Sequence, residues 1–172
     1  FRCGQGLWRG NTPDMARQSR PMTILLTRPQ AQSQRFAQAL AAMTDFPVLI
    51  SPLMRTVFLP VTLPERDHSA IILTSETGAS AAAKLRDHLP GRAWCVGDRT
   101  ARVARQAGFA ATSAQGDAAA LVAGIMQAKE SGPLLHLRGV SSRGDVARLL
   151  TRRGIPTDEA IVYDQQEQPL ST

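Results

Sequence analysis

Four times in this chain an apolar run of strand length ends in a polar turn and passes straight into residues spaced like one face of a helix. The stretches are MTILLTRPQAQSQRFAQALAAM, SAIILTSETGASAAAKLRDHL, AWCVGDRTARVARQAGF and LLHLRGVSSRGDVARLLTRRG. In the first, Phe36, Leu40 and Met43 recur at i, i+4 and i+7, the spacing of an amphipathic helix. A strand followed by a helix is carried back before the next strand begins, so successive strands lie parallel. The expected fold class is therefore α/β, with strand-turn-helix units on parallel sheets.

Other segments fill in the order. PVLISPLMRTVFLPV is extended and broken by Pro47, Pro52 and Pro60. GDAAALVAGIMQAKESG reads as a helix with Asp117 as N-cap and a stripe of Leu121, Ile125 and Ala128. DEAIVYDQQEQPLST starts as a strand and turns polar.

Composition sets limits on this plan. Hydrophobic residues make up 43% of 172, enough for a core, while aromatics are only 5%, so Leu, Val, Ile and Ala must do the packing. No apolar run approaches the roughly 20 residues of a membrane span. Half of the formal charge of +6 sits in residues 1–21, where Arg2, Arg9, Arg17 and Arg20 face Asp14 alone. The rest is mildly basic, which suits an anionic small molecule as well as it suits nucleic acid. Cys3 and Cys95 form neither a disulfide framework nor a metal spacing, and a reducing cytoplasm is the simplest compartment. Residues 1–21 have no periodicity and no signal-peptide core. They are read as a disordered leader or upstream extension, with Met22 directly before the first strand.

The turns carry the functional signal. They run Thr27-Arg28-Pro29, Thr74-Ser75-Glu76-Thr77-Gly78, Val96-Gly97-Asp98-Arg99-Thr100, and Arg138-Gly139-Val140-Ser141-Ser142-Arg143. In a parallel sheet all such turns share one edge, and ligands bind there. Helix N-termini supply free N–H groups, glycines and hydroxyls let an anion approach, and the arginines favour carboxylate or phosphate. Each residue also has a plainer reading. Ser75, Thr100 and Ser142 can be N-caps, and Gly97 and Gly139 can serve tight turns. Arg148, Arg152 and Arg153 suit a solvated helix end. His136 can be a satisfied core histidine, His68 and His88 surface or loop residues, and Cys95 a small buried hydrophobe. No dinucleotide or phosphate-loop fingerprint, nucleophile elbow or metal spacing occurs. A second class stays open, because TARVARQAGF also resembles the start of a DNA-binding helix-turn-helix. A third is an α/β anion-binding module without catalysis.

Taken in order, ILLTRP, AIILTSETGA, WCVGDRTARVARQAGF, DAAALVAGI, LLHLRGVSSRGDVARLLTRRGI and IVYDQQ resemble the uroporphyrinogen-III synthase family, from Met22 to about Pro169. The resemblance implies two α/β domains joined by two extended linkers, the first built from both ends of the polypeptide. Residues 22–52 would open domain one, 53–166 would be the linkers with a complete domain two, and 167–172 would begin the return. PLMRTVF and IVYDQQ fall at the linkers. The sequence would then be C-terminally truncated, domain one incomplete, and the synthase activity of residues 1–172 negligible.

The implied reaction closes the linear tetrapyrrole hydroxymethylbilane with inversion of its last ring and loss of water. It is a cyclising lyase reaction of porphyrin and heme biosynthesis, with no cofactor and no metal. Hand-over from hydroxymethylbilane synthase, a monomeric cytoplasmic enzyme, and no nucleic-acid or membrane partner complete the expectation. Residue by residue, Tyr163 and Thr100 match the catalytic candidates. Thr27, Arg28, Thr74, Ser75, Gly97, Thr100, Arg138, Gly139, Ser142 and Arg143 match the substrate-binding turns.

Overall fold

The computed structural model describes residues 22–142 and 144–171, so the leader 1–21 and Arg143 lie outside the described residues. The first unit is small: β1 (Ile24–Leu26), α1 (Gln30–Ala41) and β2 (Val48–Ile50), with the two strands parallel. Of the stripe expected on this helix, Phe36 and Leu40 fall on α1, while Met43 lies beyond its end. Phe36 is 52% and Met43 81% exposed, Leu25 and Leu49 on the strands are about half exposed, and Ser33 is the one buried residue of the helix.

Everything else belongs to one six-stranded sheet. Its strands are β3 (Met54–Phe58), β4 (Ala70–Leu73), β5 (Arg92–Cys95), β6 (Ala110–Ser113), β7 (Leu134–Gly139) and β8 (Thr157–Glu167), in the order β3-β8-β7-β4-β5-β6. The four strands β4 to β7 are parallel to their neighbours, and only β3 runs antiparallel, against β8. Helices α2 (Glu76–Lys84) and α3 (Asp98–Gln106) cover one face, while α4 (Ala118–Gln127) and α5 (Val146–Arg152) cover the other.

The central strands read AIIL and LLHL because both faces are covered. Ile71, Leu73, Leu135 and Leu137 pack under α2 and α3, and Ile72 and Leu134 under α4 and α5. Each fully buried Leu or Ile contributes on the order of 1.5–3 kcal/mol. Asp117 caps α4 by accepting from the Ala119 and Ala120 N–H groups at 2.9 and 3.0 Å. Those same bonds lower its carboxyl below the usual range.

The two linker segments, Met54–Phe58 and the end of β8, pair residue for residue, Phe58 opposite Tyr163 and Met54 opposite Glu167. Two expectations change. The sequence ATS after α3 is a strand, so this part holds four strand-turn-helix units where the sequence suggests three and a lone helix. The same finding removes the helix-turn-helix, because a sheet strand stands where a recognition helix would be. His68, read as a surface or loop residue, lies in the loop before β4, with its side chain only 4% exposed and 2.9 Å from Asp158. That contact, with Arg66 adding to it, lowers the Asp158 carboxyl.

Candidate active site

Because β4, β5 and β7 are parallel, the turns after them leave the same edge of the sheet. The small unit stands over that edge. Between α1 and α3 lies a cavity of about 600 Å³ whose lining includes Arg28, Arg35, Phe36, Glu76, Arg99 and Arg102. A second, of about 520 Å³, lies towards β3 and is lined among others by Pro52, Met54, Thr56, Phe58, Glu76 and Thr77. Arg35 and Glu76 border both. The Arg35 guanidinium donates through Nη2 to both carboxylate oxygens of Glu76, at 3.2 and 2.9 Å, and so crosses from α1 to the first turn of α2.

At the sheet edge beside this cleft stands Tyr163. Its hydroxyl is 3.1 Å from Ser75 Oγ. Ser75 Oγ in turn accepts from the Gly78 N–H at 2.9 Å, capping α2. The tyrosine ring lies flat on Gly139. A Cβ there would sit 2.6 Å from one ring carbon and 2.7 Å from another, closer than real side chains pack. The glycine of the fourth turn thus seats the ring, at the point where the β7–β8 register shifts. Tyr163 is 9% exposed, so only a small part of it is open to a ligand.

Behind the edge is a buried polar chain. His136, fully buried, places Nδ1 3.3 Å from Glu159 Oε1 and Nε2 3.3 Å from Thr74 Oγ1. A carboxylate oxygen only accepts, so the proton belongs on Nδ1, and Nε2 accepts from the Thr74 hydroxyl. Burial lowers the His136 pKa, with Glu159 opposing that shift. Arg138 donates from Nη1 to its own turn, to Gly139 O at 3.0 Å and Val140 O at 3.2 Å. Its Nε lies 3.0 Å from Glu159 Oε1, yet the N–H is not aimed at that oxygen and makes no hydrogen bond among the described residues. The ion pair is one of proximity, not of alignment.

The sequence candidates therefore divide. Ser75, Gly139 and Tyr163 come together in one contact group, and Arg28 lines the cleft. Thr74 and Arg138 spend their polar groups on the fold, on His136 and on the fourth turn. Thr100 is buried in the first turn of α3, Gly97 caps that helix, and Ser142 is exposed beyond β7. Thr27 is half-buried in β1's turn, where its carbonyl accepts from the Leu53 N–H.

Arg35, Arg102 and Glu76 join the site from outside the sequence candidates. A signal exists for one pair: Arg99 and Arg102 are three residues apart within α3, a spacing that brings both to one side of the helix. No cluster of three or more His, Cys, Asp or Glu suited to a metal occurs among the described residues. No helix among them is long and apolar enough to cross a membrane.

Known proteins resemble this arrangement. The chain is similar to the crystal structure of uroporphyrinogen-III synthetase from Helicobacter pylori 26695, with a TM-score of 0.59 and 19% identity, covering 87% of this chain and 65% of that one. It is also similar to a mutant uroporphyrinogen III synthase from the extremely thermophilic bacterium Thermus thermophilus, with a TM-score of 0.55 and 17% identity, covering 86% and 64%. The chain thus spans less than two thirds of the length of either protein. No curated protein sequence matches it significantly. The family model described as uroporphyrinogen-III synthase HemD matches residues 23–171. With nearly all of the described chain inside that match, this protein belongs to the uroporphyrinogen-III synthase family.

Proposed function

We propose that the cleft between α1 and the sheet edge binds hydroxymethylbilane and closes it to uroporphyrinogen III, with loss of water and inversion of the last ring. The observation that supports this most is the cleft lining: four arginines on three segments, with Glu76 the single acid among the residues around the larger cavity. A linear tetrapyrrole bears acetate and propionate groups along its length, and guanidinium groups bind carboxylates in paired geometry. Catalysis by such a site is chiefly positioning, which holds the flexible substrate so that its ends meet.

Tyr163 is the candidate to assist departure of the hydroxyl. Its phenol is held by Ser75 and its ring by Gly139, so the group is oriented before any ligand arrives. Thr100, being buried, fits a role in seating α3 better than direct contact. The division at about residue 52, direct hand-over from hydroxymethylbilane synthase, a monomeric state and a cytoplasmic setting belong to the same reading. The return of the chain to the small unit supports that division: Ser171 N and Oγ lie 2.8 and 2.9 Å from Ser51 Oγ.

The test is isomer analysis on the full-length gene product carrying these residues. Type III product in excess of the type I ring that forms spontaneously is the expected result. Tyr163→Phe should slow it at least tenfold while leaving the melting curve in place. Type I product alone would end this reading.

A further inference from the structure

The Arg35–Glu76 pair stands where the two cavities meet, and this position gives it a meaning beyond a surface contact. Both residues border the 600 Å³ chamber with its arginines and the 520 Å³ chamber beside β3. Arg35 projects from α1 and Glu76 from the first turn of α2, 41 residues away, so their bond is a bar across the opening. Glu76 offers Arg35 both carboxylate oxygens, as a ligand carboxylate would. The pair is not sealed in: the side chains are 53% and 23% exposed. Exposed ion pairs of this kind are weak and exchange readily.

We infer that Glu76 is an internal stand-in for a ligand carboxylate. It holds Arg35 in this structure and must be exchanged for a carboxylate of the ligand before an extended polycarboxylate can run through both chambers. The inference rests on the cleft being a polycarboxylate site, and it makes a distinct demand. Removing the stand-in should strengthen binding, because Arg35 is released and a like charge leaves the path. The exchange also ties occupancy to the small unit, since the bar is what α1 loses and the ligand is what replaces it.

The probe is benzenehexacarboxylate, titrated calorimetrically into the 172-residue protein at low salt. Glu76→Gln should bind it about three- to tenfold more tightly than the unaltered protein, and Glu76→Gln with Arg35→Gln should lose that gain. Asp98→Asn adds the same charge at the start of α3 without releasing an arginine, and should stay within about twofold of the unaltered protein. Thermal melts of each variant check the fold. Equal or weaker binding by Glu76→Gln, or an equal gain from Asp98→Asn, overturns the stand-in while the cleft survives as an anion site. No binding by either the unaltered protein or Glu76→Gln overturns both. Binding by Glu76→Gln alone supports both, with the bar then fully closed.

Discussion

The β1–α1–β2 unit and the six-stranded sheet use the same strand-turn-helix pattern, yet they are packed to different depths. In the large sheet, Ile71, Ile72, Leu73, Leu135 and Leu137 have almost no exposed surface, with helices on both faces. In the small unit, two three-residue strands carry Leu25 and Leu49 half in solvent, and α1 leaves Phe36 uncovered. A βαβ unit by itself has one helix for two sheet faces and cannot bury an apolar strand on both sides. Local pattern is therefore enough to form these elements, but it is the second helical layer that makes them stable.

The sharpest test of that contrast removes one leucine from each region. Leu137→Ala, in the centre of the sheet, should cost about 2–5 kcal/mol in denaturant unfolding. Leu49→Ala on β2 should cost less than about 0.5 kcal/mol, as exposed substitutions do. Equal losses would mean that the two regions unfold as one body. Hydrogen exchange asks the same question without mutation. Amides of β1 and β2 should exchange at least about 100-fold faster than those of β4 and β7, because opening free energy follows local burial. Matching rates would break the comparison outright.

A third test probes the join between the sheet and the site. Gly139→Ala pushes a methyl group into the Tyr163 ring and should cost about 1–3 kcal/mol by overpacking. Tyr163→Leu in the same protein should recover most of that loss. Tyr163 is the only tyrosine, so the NMR signal of a ring-labelled tyrosine reports the displacement directly. The same substitution should leave exchange in β1 and β2 unchanged.

The smallest effect comes from pH. His136 is kept neutral mainly by burial, so its folded pKa lies below the ordinary value of 6.5, while the unfolded chain takes a proton near that value. This contribution is fully present above pH 6.5 and is lost as the pH falls towards the folded pKa. Stability of the large sheet should drop below pH 6.5, no more steeply than about 1.4 kcal/mol per unit for one proton. His136→Gln should flatten the slope, and an unchanged profile would remove His136 as its cause. Exchange from the small unit should not follow the same curve.

What can be read from the sequence is whatever is local. β4 announces itself as an unbroken apolar run and β7 as one interrupted by His136, and Asp117 marks the start of α4 with a side chain that reaches only three residues on. β6 escapes such a reading because Ala-Ala-Thr-Ser is a pattern of small residues on an edge strand, where little burial is needed to hold it. The site is half legible for the same reason. Its turns are local, but what joins them is not: Ser75 meets Tyr163 across 88 residues, Arg35 meets Glu76 across 41, and His136 meets Thr74 across 62. Those pairings follow from strand order, which no single turn encodes. The burial of His68 is hidden in the sequence for a related cause, since its partner Asp158 stands 90 residues further on.

β8 runs eleven residues without interruption. Its first half is bonded to β7 inside the sheet, and its second half to β3 on the way to the small unit. A connection of that kind does not behave as a pair of loose tethers. Five residue pairs between β3 and β8 resist bending in the plane of the ribbon, and a two-stranded ribbon yields most readily by changing its twist. The joint resembles a torsion bar: swinging the small unit within the plane of the ribbon would shear those hydrogen bonds, whereas a change of twist would keep them. Such a twist would move α1 relative to the sheet edge, so the width of the cleft is tied to an angle as well as to a distance.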